Sequence, residues 1–491
     1  MATKKVNMLV NVNDKLGHIN PEIYGHFSEH LGRCIYEGIY VGEDSSIPNT
    51  EGIRNDIIEA FKNINVPVVR WPGGCFADEY HWKDGVGPKG NRKSIINTNW
   101  GGVTENNSFG THEFLKFCEL VGCQPYINGN VGSGTVQEMS EWIEYMTSDA
   151  KSPMTDLRKD NGQDKPWKIK YLGVGNENWG CGGLMTPEKY VDEYKQFQGY
   201  CKNHSDNKLF KIACGPNASD FNWMEVLMKN LKNEWVDGID LHYYTIPDWE
   251  NRGHATGFSD EAYHKVLTSA HYLDTLLTRH SEIMNRYDPD NKIGLIVGEW
   301  GTWYEVEEGT NPGFLYQQNT MRDAIVAGIE LNTFNRHSNR VVMANLAQAV
   351  NVLQSVILTE GESIVKTPTY HVFDLYKNHQ NSDAVYCHTE DVINIDNIPM
   401  ITSSASVKNK ELTITLTNSS LTDSVSINGI IAGANISSAS ARILTNDVRA
   451  YNTFDAPENV TIMDCKVSLS DNAIDMEIPP CSVVSVILNT I

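Results

Sequence analysis

Two glutamates each follow an apolar stretch that is typical of a buried β-strand. Glu177 ends the stretch YLGVGNE, and Glu299 ends the stretch IGLIVGE. The carboxyl ends of parallel strands meet on one face of a barrel, where barrel enzymes place their catalytic groups. Paired carboxylates at such a face are the machinery of glycoside hydrolysis. The pattern therefore predicts one site, built by two strands, with this chemistry.

The surroundings of the two glutamates suggest different roles. Asn176 directly precedes Glu177, and its amide can donate to a sugar hydroxyl, so we assign Glu177 as the general acid/base. Glu299 follows the longest apolar stretch, and we assign it as the nucleophile. The acid needs a pKa raised by burial and by the second carboxylate, whereas the nucleophile needs donors such as Tyr244 or a neighbouring histidine. The alternative, that one glutamate only forms an ion pair, stays open.

Polar or aromatic residues also follow five other apolar stretches, which favours one shared face over chance. They lie in the segments 25–30, 70–76, 128–134, 242–244 and 345–348. Four tryptophans in loops after strands are candidates for stacking on sugar rings, namely Trp100, Trp179, Trp249 and Trp303. We expect at least one of the four only to pack against the protein. Cys75 is interpreted as a small apolar wall or weak donor of the sugar site.

No histidine pattern predicts a metal. His26 and His30 are four positions apart, but the string is HFSEH and not HExxH. His112 is followed by Glu113, yet Lys116 stands where a second histidine would be required. Capping or hydrogen bonding explains these residues better than zinc binding. We therefore expect neither a metal nor another cofactor.

Eight short apolar stretches alternate with helical periodicity, which predicts an α/β fold of the (β/α)8 TIM-barrel type. Helical patterns include residues 55–62 and 138–146, and Thr186-Pro187 is a helix start with an N-cap followed by proline. An open doubly wound sheet is the alternative. It would usually show a glycine-rich phosphate turn after its first strand, and the sequence contains none there. The predicted strands are 23–27, 66–71, 124–128, 169–174, 211–214, 238–242, 292–297 and 340–344.

After about residue 383 the helical pattern stops. Strand-like stretches occur at 411–417, 438–444, 460–469 and 482–488, and turns are predicted at 428–429 and 471–472. These features predict a C-terminal all-β sandwich of jelly-roll-like type. The first strand, 5–13, has no helix after it and is expected to join that sandwich. The predicted division is 1–18 for the N-terminal strand, 19–382 for the catalytic barrel and 383–491 for the sandwich.

The composition limits the partners. The 491 residues contain 62 Asp and Glu against 40 Lys and Arg, a formal net charge of −22. Such a surface repels nucleic acids and anionic membranes but not a neutral sugar. The first residues do not read as a signal peptide, and no apolar run reaches the roughly 18 residues of a membrane span. The ten cysteines form no CxxC, so we expect reduced thiols and a cytoplasmic protein.

Four segments resemble the α-L-arabinofuranosidases of glycoside hydrolase family 51. They are RWPGGCFADEYHWKDGVGP (70–88), GVGNENWGCGG (173–183), GEWGTWYEVEEGTNPG (298–313) and MANLAQAVNVLQ (343–354). The resemblance runs from about residue 19 to the end of the barrel. It implies a barrel followed by a β-sandwich, a retaining double displacement without a metal, and a homo-oligomer, often a hexamer. It also implies Glu177 as acid/base and Glu299 as nucleophile.

The resemblance further implies sugar contacts for Glu29, Asn176, Tyr244 and Gln348, and Cys75 occupies a position that is Asn in some members. The expected function is an exo-acting α-L-arabinofuranosidase that removes terminal non-reducing arabinofuranosyl residues from arabinoxylan, arabinan and their oligosaccharides. An endo-glucanase or xylanase on the same barrel is one alternative, which an open cleft would favour. A catalytically silent carbohydrate-binding protein is another, and the presence of both glutamates argues against it.

Overall fold

The computed structural model describes residues 3–390 and 398–491 and contains a closed parallel barrel and an all-β domain. Residues 1–2 and 391–397, which fall within the predicted ranges 1–18 and 383–491, lie outside the described residues. The predicted fold class, a TIM barrel followed by an all-β domain, is confirmed. None of the helices in the described ranges is long and apolar enough to cross a membrane.

The barrel has eight strands, each parallel to the next in the chain, and the last pairs with the first through Asn345 and Gly25. Every predicted strand is present. The first is shorter than predicted because Pro21–Tyr24 forms a 3-10 turn, and the seventh is longer, so Glu299 lies within it. The strands are Gly25–Phe27, Val68–Trp71, Gln124–Gly129, Tyr171–Val174, Phe210–Asn217, Gly238–Thr245, Gly294–Thr302 and Val341–Ala347.

Helices cover the outside of the barrel, and their amphipathic patterns explain their positions. In the first helix Ile57, Ile58 and Phe61 face the core. The predicted start at Thr186 is confirmed, since its hydroxyl accepts a hydrogen bond from the Lys189 N–H at 3.3 Å. In the described ranges the α-helices are Asn55–Asn63, Thr111–Val121, Val136–Thr147, Pro153–Asp160, Pro187–Tyr200, Phe221–Asn230, Asp260–Tyr287, Met321–Arg336 and Pro368–Tyr376.

Short elements complete the barrel region. Three two-stranded sheets decorate the loops: Asn49–Thr50 with Ile53–Arg54, Ile95–Ile96 with Thr104–Glu105, and Ile357–Glu360 with Ser363–Lys366. Further 3-10 turns span Cys75–Asp78, Trp82–Gly85, Lys89–Asn91, Pro312–Phe314 and Lys377–His379. The first two of these turns follow the second barrel strand and form part of the wall above the barrel.

The all-β domain is built on a ten-stranded sheet. The first strand of the chain is its seventh member and lies between Ser382–Thr389, to which it is antiparallel, and Ser424–Ala432, to which it is parallel. Its residues Val6, Met8 and Val10 are buried in the core of this domain. The sheet order is Ile462–Cys465, Ile436–Thr445, Ser482–Thr490, Glu411–Asn418, Ile401–Lys408, Ser382–Thr389, Thr3–Ile19, Ser424–Ala432, Ala473–Ile478 and Ser468–Ser470.

Two details of the predicted β domain are wrong. Asn428-Gly429 is not a turn but lies inside the strand Ser424–Ala432, which has partners on both sides. The Met8 side chain packs against this position and leaves no room for a larger residue, because a Cβ at Gly429 would lie 2.6 Å from it. The predicted strand 460–469 is two strands, separated before Ser468. The turn at Asp471 is confirmed.

The helix Met321–Arg336 connects the barrel to the β domain. Its residues from Met321 to Asn335 are buried, because the helix contacts both the barrel elements and the strands of the β domain. Asn335 donates to the Ser404 hydroxyl at 3.0 Å, and Asn332 accepts from the Thr415 hydroxyl at 2.7 Å. Buried polar groups that find partners across the interface hold the two bodies in a fixed arrangement.

Candidate active site

Glu177 and Glu299 lie together at the carboxyl end of the barrel. Glu177 follows the fourth strand, Glu299 belongs to the seventh, and carboxylate oxygens of the two residues lie within 4.8 Å of each other. The side chain of Glu177 is 18% exposed and that of Glu299 is 7% exposed. Retaining glycosidases have carboxyl groups about 5–5.5 Å apart, against roughly 6.5–9.5 Å in inverting enzymes. The separation fits a direct attack by one carboxylate.

Two donors hold the carboxylate of Glu299. Nη1 of Arg70 donates to Oε1 at 2.6 Å, and the hydroxyl of Tyr244 donates to Oε2 at 2.7 Å. The guanidinium of Arg70 is completely buried, so its charge acts where water screens little. Tyr244 is the donor that the sequence predicted, whereas Arg70 was not singled out. Together they orient the carboxylate and stabilise its negative charge.

A histidine bridges the two glutamates. Nδ1 of His242 lies 2.8 Å from Oε1 of Glu177 and 3.6 Å from Oε1 of Glu299, and Nε2 lies 3.4 Å from Oδ2 of Asp240. Burial lowers the pKa of His242, but the charges of Glu299 and Asp240 and the hydrogen bonds outweigh it and raise that pKa to about 10. At neutral pH the imidazole is therefore charged, and both of its nitrogens donate.

The pKa of Glu177 is raised above its ordinary value. Burial is the main cause, and the charge of Glu299 adds to it, whereas the hydrogen bond from His242 works in the opposite direction. Burial and the second carboxylate are the two causes expected from the sequence. One carboxyl group of the pair thus retains its proton more easily, while the other is surrounded by donors, an arrangement suited to acid/base and nucleophilic roles.

Backbone geometry fixes both glutamates. Glu177 adopts a left-handed conformation with a φ of +37°, and its carbonyl accepts hydrogen bonds from the N–H groups of Gly180 at 2.6 Å and Gly182 at 3.1 Å. Those bonds hold a conformation that costs energy for a residue with a Cβ. Next to Glu299, a Cβ at Gly298 would lie 2.1 Å from Oδ1 of Asp240. Position 298 of the seventh strand therefore requires a glycine, because a side chain there would collide with Asp240.

Glu29 is the centre of a second group of predicted residues. Its Oε1 accepts from the Phe76 N–H at 3.0 Å and from the Trp100 indole at 2.9 Å, and its Oε2 accepts from Gln348 at 2.8 Å. Burial, and then the charge of Glu299, raise the pKa of Glu29 to about 7. Trp100 is thus anchored by its N–H beside this carboxyl group, in the wall of the site.

Arg70 also orients Asn176. Its Nη2 donates to Oδ1 of Asn176 at 2.6 Å, and the amide nitrogen of Asn176 donates to Oδ2 of the buried Asp78 at 3.3 Å. The carbonyl of the amide thus faces the guanidinium, which links Asn176 to Glu299 through one side chain. Arg70 and Asp78 both lie in the segment 70–88, but nothing in their spacing marked them as partners of residues more than ninety positions away.

The other tryptophans divide into two kinds. Trp303 packs edge-on against Tyr244, with ring centroids 5.0 Å apart, and Trp249 packs against Trp303 at 5.7 Å. Trp249 is 63% exposed, so the row leads from Tyr244 towards solvent. The indole of Trp179 instead donates to the Gly215 carbonyl at 3.1 Å and packs against the barrel core. The structure thus places Trp249 and Trp303 at the mouth of the site.

Cys75 forms a disulfide with Cys181, with Cα atoms 5.6 Å apart. The expectation that all ten cysteines are reduced is wrong for this pair. The loops after the second and fourth strands converge above the barrel, which the separation of 106 positions between the cysteines could not reveal. The other eight, all within the described residues, are free thiols. Cys75 remains beside the site, since Sγ of Cys181 lies 3.6 Å from Oε2 of Glu177.

The histidines that were weighed as metal ligands have other partners. His30 is hydrogen-bonded to Glu105 at 2.9 Å and accepts from Trp71 at 3.1 Å, and His112 is hydrogen-bonded to Tyr145 at 2.6 Å. His26 is buried against aromatic rings. In the described part of the chain, three potential ligand atoms come within 4.8 Å of one another in two clusters at the active site: Cys75, Glu177 and Cys181, and Glu177, His242 and Glu299.

Comparison with known families identifies both regions of the chain. Residues 60–262 match the alpha-L-arabinofuranosidase 1 domain, and residues 298–482 match the alpha-L-arabinofuranosidase C-terminal domain. The second match begins just before Glu299 and ends in the all-β domain. It therefore includes the last part of the barrel together with most of the C-terminal sheet.

Full-length relatives agree with these matches. The chain is 48% identical to an intracellular exo-alpha-L-arabinofuranosidase of Bacteroides ovatus, over 99% of this chain and 96% of the relative. The crystal structure of the GH51 arabinofuranosidase from Xanthomonas axonopodis pv. citri has a TM-score of 0.97 and 43% identity, covering 99% of this chain and 100% of that one. An arabinose complex of the Thermotoga maritima alpha-L-arabinofuranosidase gives 0.88 and 30%, covering 99% and 100%. The chain belongs to the α-L-arabinofuranosidases of glycoside hydrolase family 51.

Proposed function

We propose that this protein is an exo-acting, retaining α-L-arabinofuranosidase, with Glu177 as the acid/base and Glu299 as the nucleophile. The observation that carries the proposal is the separation of their carboxylate oxygens, which is within 4.8 Å. It leaves room for an anomeric carbon between them but not for an additional water, as inversion would require. The 48% identity to a relative named as an exo-alpha-L-arabinofuranosidase supports the choice of sugar.

In the first step, Glu299 attacks the anomeric carbon while Glu177 gives its proton to the leaving oxygen. The donors Arg70 and Tyr244, at 2.6 and 2.7 Å, keep one lone pair of Glu299 directed at the sugar. The raised pKa of Glu177 keeps its proton available before attack. The bond to the aglycone breaks, and a covalent glycosyl-enzyme remains.

In the second step, Glu177 works as a base. Its carboxylate, formed when the proton left, removes a proton from water, and the water attacks the anomeric carbon and releases Glu299. During this interval the charged imidazole of His242, at 2.8 Å, stabilises the carboxylate of Glu177. Within the catalytic cycle the hydrogen bond therefore contributes most while the glycosyl-enzyme exists, since Glu177 carries its charge in that state.

The arabinofuranosyl ring is held by the polar residues around the two glutamates, namely Glu29, Asn176, Tyr244 and Gln348. Glu29 is supported in this role by a pKa of about 7, because the carboxyl group can then either donate to or accept from a hydroxyl. Trp100 and the Cys75 region form the wall beside it. Trp249 and Trp303 line the aglycone side, and Trp179 contributes to the loop that carries Glu177.

The natural substrates that we propose are arabinoxylan, arabinan and oligosaccharides derived from them. We propose that the enzyme works in the cytoplasm as a homo-oligomer, such as a hexamer, and has no nucleic-acid or membrane partner. The relative's description as intracellular supports the compartment, and the net charge of −22 argues against polyanionic partners. We also propose domain limits of 1–18, 19–382 and 383–491. The pairing of the first strand with Ser382–Thr389 supports a shared β domain.

A screen of aryl glycosides tests the activity. We expect hydrolysis of the α-L-arabinofuranoside and little turnover of arabinopyranosides, xylopyranosides or glucopyranosides, with initial release of the α-anomer followed by nuclear magnetic resonance. Polymeric xylan should lose arabinose without a fall in chain length. Cleavage of the xylan backbone would instead support an endo-acting enzyme, and the absence of any turnover would support a silent binding protein.

A further inference from the structure

The disulfide between Cys75 and Cys181 lies at the solvent side of the proposed active site. It joins the loop after the second barrel strand to the loop after the fourth. Cys181 is exposed and Cys75 is half-buried. Most of the free thiols in the described residues are buried, among them Cys34, Cys118 and Cys214. This pair is therefore open to small reagents, including thiols that exchange with disulfides.

The same pair contacts the proposed acid/base. Sγ of Cys181 lies 3.6 Å from Oε2 of Glu177, and both sulfur atoms lie within 4.8 Å of a carboxylate oxygen of Glu177. His242 binds the other oxygen, Oε1. Oε2 thus faces the sulfur atoms, and within residues 3–390 and 398–491 no N–H or O–H group donates to it. The two sulfur atoms and this carboxylate oxygen lie within 4.8 Å of one another. Thiolate sulfur combined with carboxylate oxygen is a donor set that suits borderline-soft cations.

We propose that reduction of this disulfide creates a site for a thiophilic divalent cation such as Zn²⁺ or Cd²⁺, with Sγ of Cys75, Sγ of Cys181 and a carboxylate oxygen of Glu177 as ligands. Two equivalents of a small thiol reduce the disulfide and leave as one external disulfide, giving two protein thiols. The cation then binds as both thiols release their protons, because the thiolate is the ligand.

The geometry of the loops suits such an ion. Zinc binds thiolate sulfur at about 2.3 Å, which puts two sulfurs around a tetrahedral ion roughly 3.8 Å apart. The Cα separation of 5.6 Å allows this with rotation of the two side chains. Water reaches the fourth position from the exposed side of Cys181. No charged nitrogen needs to leave its partner, since His242 stays on Oε1 of Glu177.

An occupied site holds the enzyme inactive, and this consequence rests on the proposed role of Glu177. A carboxylate bound to a cation can neither deliver a proton to the leaving oxygen nor remove one from water. The thiols of a reducing compartment can reduce an exposed disulfide of this kind by exchange, so the site would form where we propose that the enzyme works. The oxidised form lacks the thiolates and is insensitive to the cation.

Cadmium binding measured separately from activity tests the proposal. The full-length enzyme is prepared oxidised, or reduced with a phosphine that is then removed under argon, and each form is titrated with Cd²⁺. We expect the reduced form to bind one more equivalent of Cd²⁺ than the oxidised form and to show the ultraviolet absorption of cadmium thiolates. The rate of arabinofuranoside hydrolysis by the reduced form should fall at least tenfold and recover when a chelator is added. Cys181→Ser and Cys75→Ser should each abolish the extra equivalent.

Cys465→Ser is the matched control, because this half-buried thiol lies in the β domain, and it should keep both the extra equivalent and the inhibition. Equal binding by oxidised and reduced enzyme would overturn the proposal. Inhibition of the oxidised enzyme would also overturn it, since the ion would then sit on the Glu177, His242 and Glu299 cluster. If neither form hydrolyses the arabinofuranoside before metal is added, the proposed function fails, while the binding measurement still decides the site.

Discussion

The imidazole of His242 lies 2.8 Å from the carboxylate of Glu177. Burial alone would lower the pKa of the imidazole, but Glu299, beside the ring, and Asp240, behind it, raise that pKa to about 10. At neutral pH a positive charge therefore lies next to the proposed acid/base. It limits how far burial and Glu299 can raise the pKa of Glu177.

The first prediction concerns His242→Gln. Loss of the charge and of its hydrogen bond should raise the pKa of Glu177, because both lower that pKa in the parent enzyme. The alkaline limb of kcat/KM requires a protonated Glu177, so this limb should move to higher pH, by about one unit. His112→Gln, on a helix outside the barrel, is the control and should leave the profile in place. An alkaline limb that stays in place or moves to lower pH would contradict the charge argument.

The architecture was predictable because it is encoded in local patterns. Each barrel strand is an apolar stretch bounded by polar residues, and the helix at Thr186-Pro187 begins with a cap that can be read directly. The turn at Asn428-Gly429 was predicted wrongly because glycine occurs both in turns and at crowded positions of strands. Gly429 lies in a strand, and a side chain at this position would collide with Met8.

The site was predictable only in part. Glu177, Glu299 and Tyr244 lie at or near the carboxyl ends of apolar stretches in the sequence, and their residue types indicate their chemistry. The role of Arg70 was missed because its partners, Glu299 and Asn176, come from other strands, so only the closed barrel brings them together. The disulfide of Cys75 was missed for the same reason, since it joins two loops whose approach depends on barrel closure.

The second prediction distinguishes the tryptophans. Trp249 is exposed and packs on Trp303, so Trp249→Ala should lower kcat/KM for arabinoxylan oligosaccharides about tenfold, corresponding to roughly 1.4 kcal/mol, and hardly affect a small aryl arabinofuranoside. Trp179 is tied to Gly215 and the core, and Trp179→Ala should lower both activities to the same extent. Steady-state kinetics on the two substrates measures the difference. Equal losses for Trp249→Ala would assign it to packing.

The third prediction concerns stability. Glu330 is completely buried, its Oε1 accepts from the Thr245 hydroxyl, and burial raises its pKa from 4.5 to about 8. Between these pH values the folded protein holds a proton that the unfolded chain releases, so the stability of the fold decreases as the pH rises. Glu330→Gln removes this titration.

Unfolding of the Glu330→Gln variant and the parent should therefore be compared across pH. At pH 4 the two should be similar, and by pH 8 the variant should be more stable by on the order of a few kcal/mol. The free energy of unfolding in urea measures this where refolding is reversible. Glu360→Gln, at an exposed position, is the control and should show no such trend. A constant difference at every pH would mean that packing, and not the buried charge, is responsible.

The last prediction separates the roles of the two glutamates. Glu177→Ala removes the proton donor and the base. A substrate with a good leaving group needs little protonation, so its first step should survive better than that of a natural oligosaccharide. The glycosyl-enzyme should then accumulate, visible as a burst of aglycone and as a mass increase. Added azide should restore turnover, because a small anion attacks without a base, and the arabinosyl azide should have retained configuration.

Glu299→Ala should behave differently, because it removes the nucleophile that Arg70 and Tyr244 hold. No covalent intermediate can form, so hydrolysis should fall by several orders of magnitude for every leaving group, without a burst. Loss of the proton donor in Glu177→Ala should also flatten the alkaline limb of the pH profile, which rate measurements on an activated substrate can follow. If the two variants responded alike to leaving groups, or if azide rescued Glu299→Ala to a retained product, the assignment of roles would be wrong even with the site correctly located.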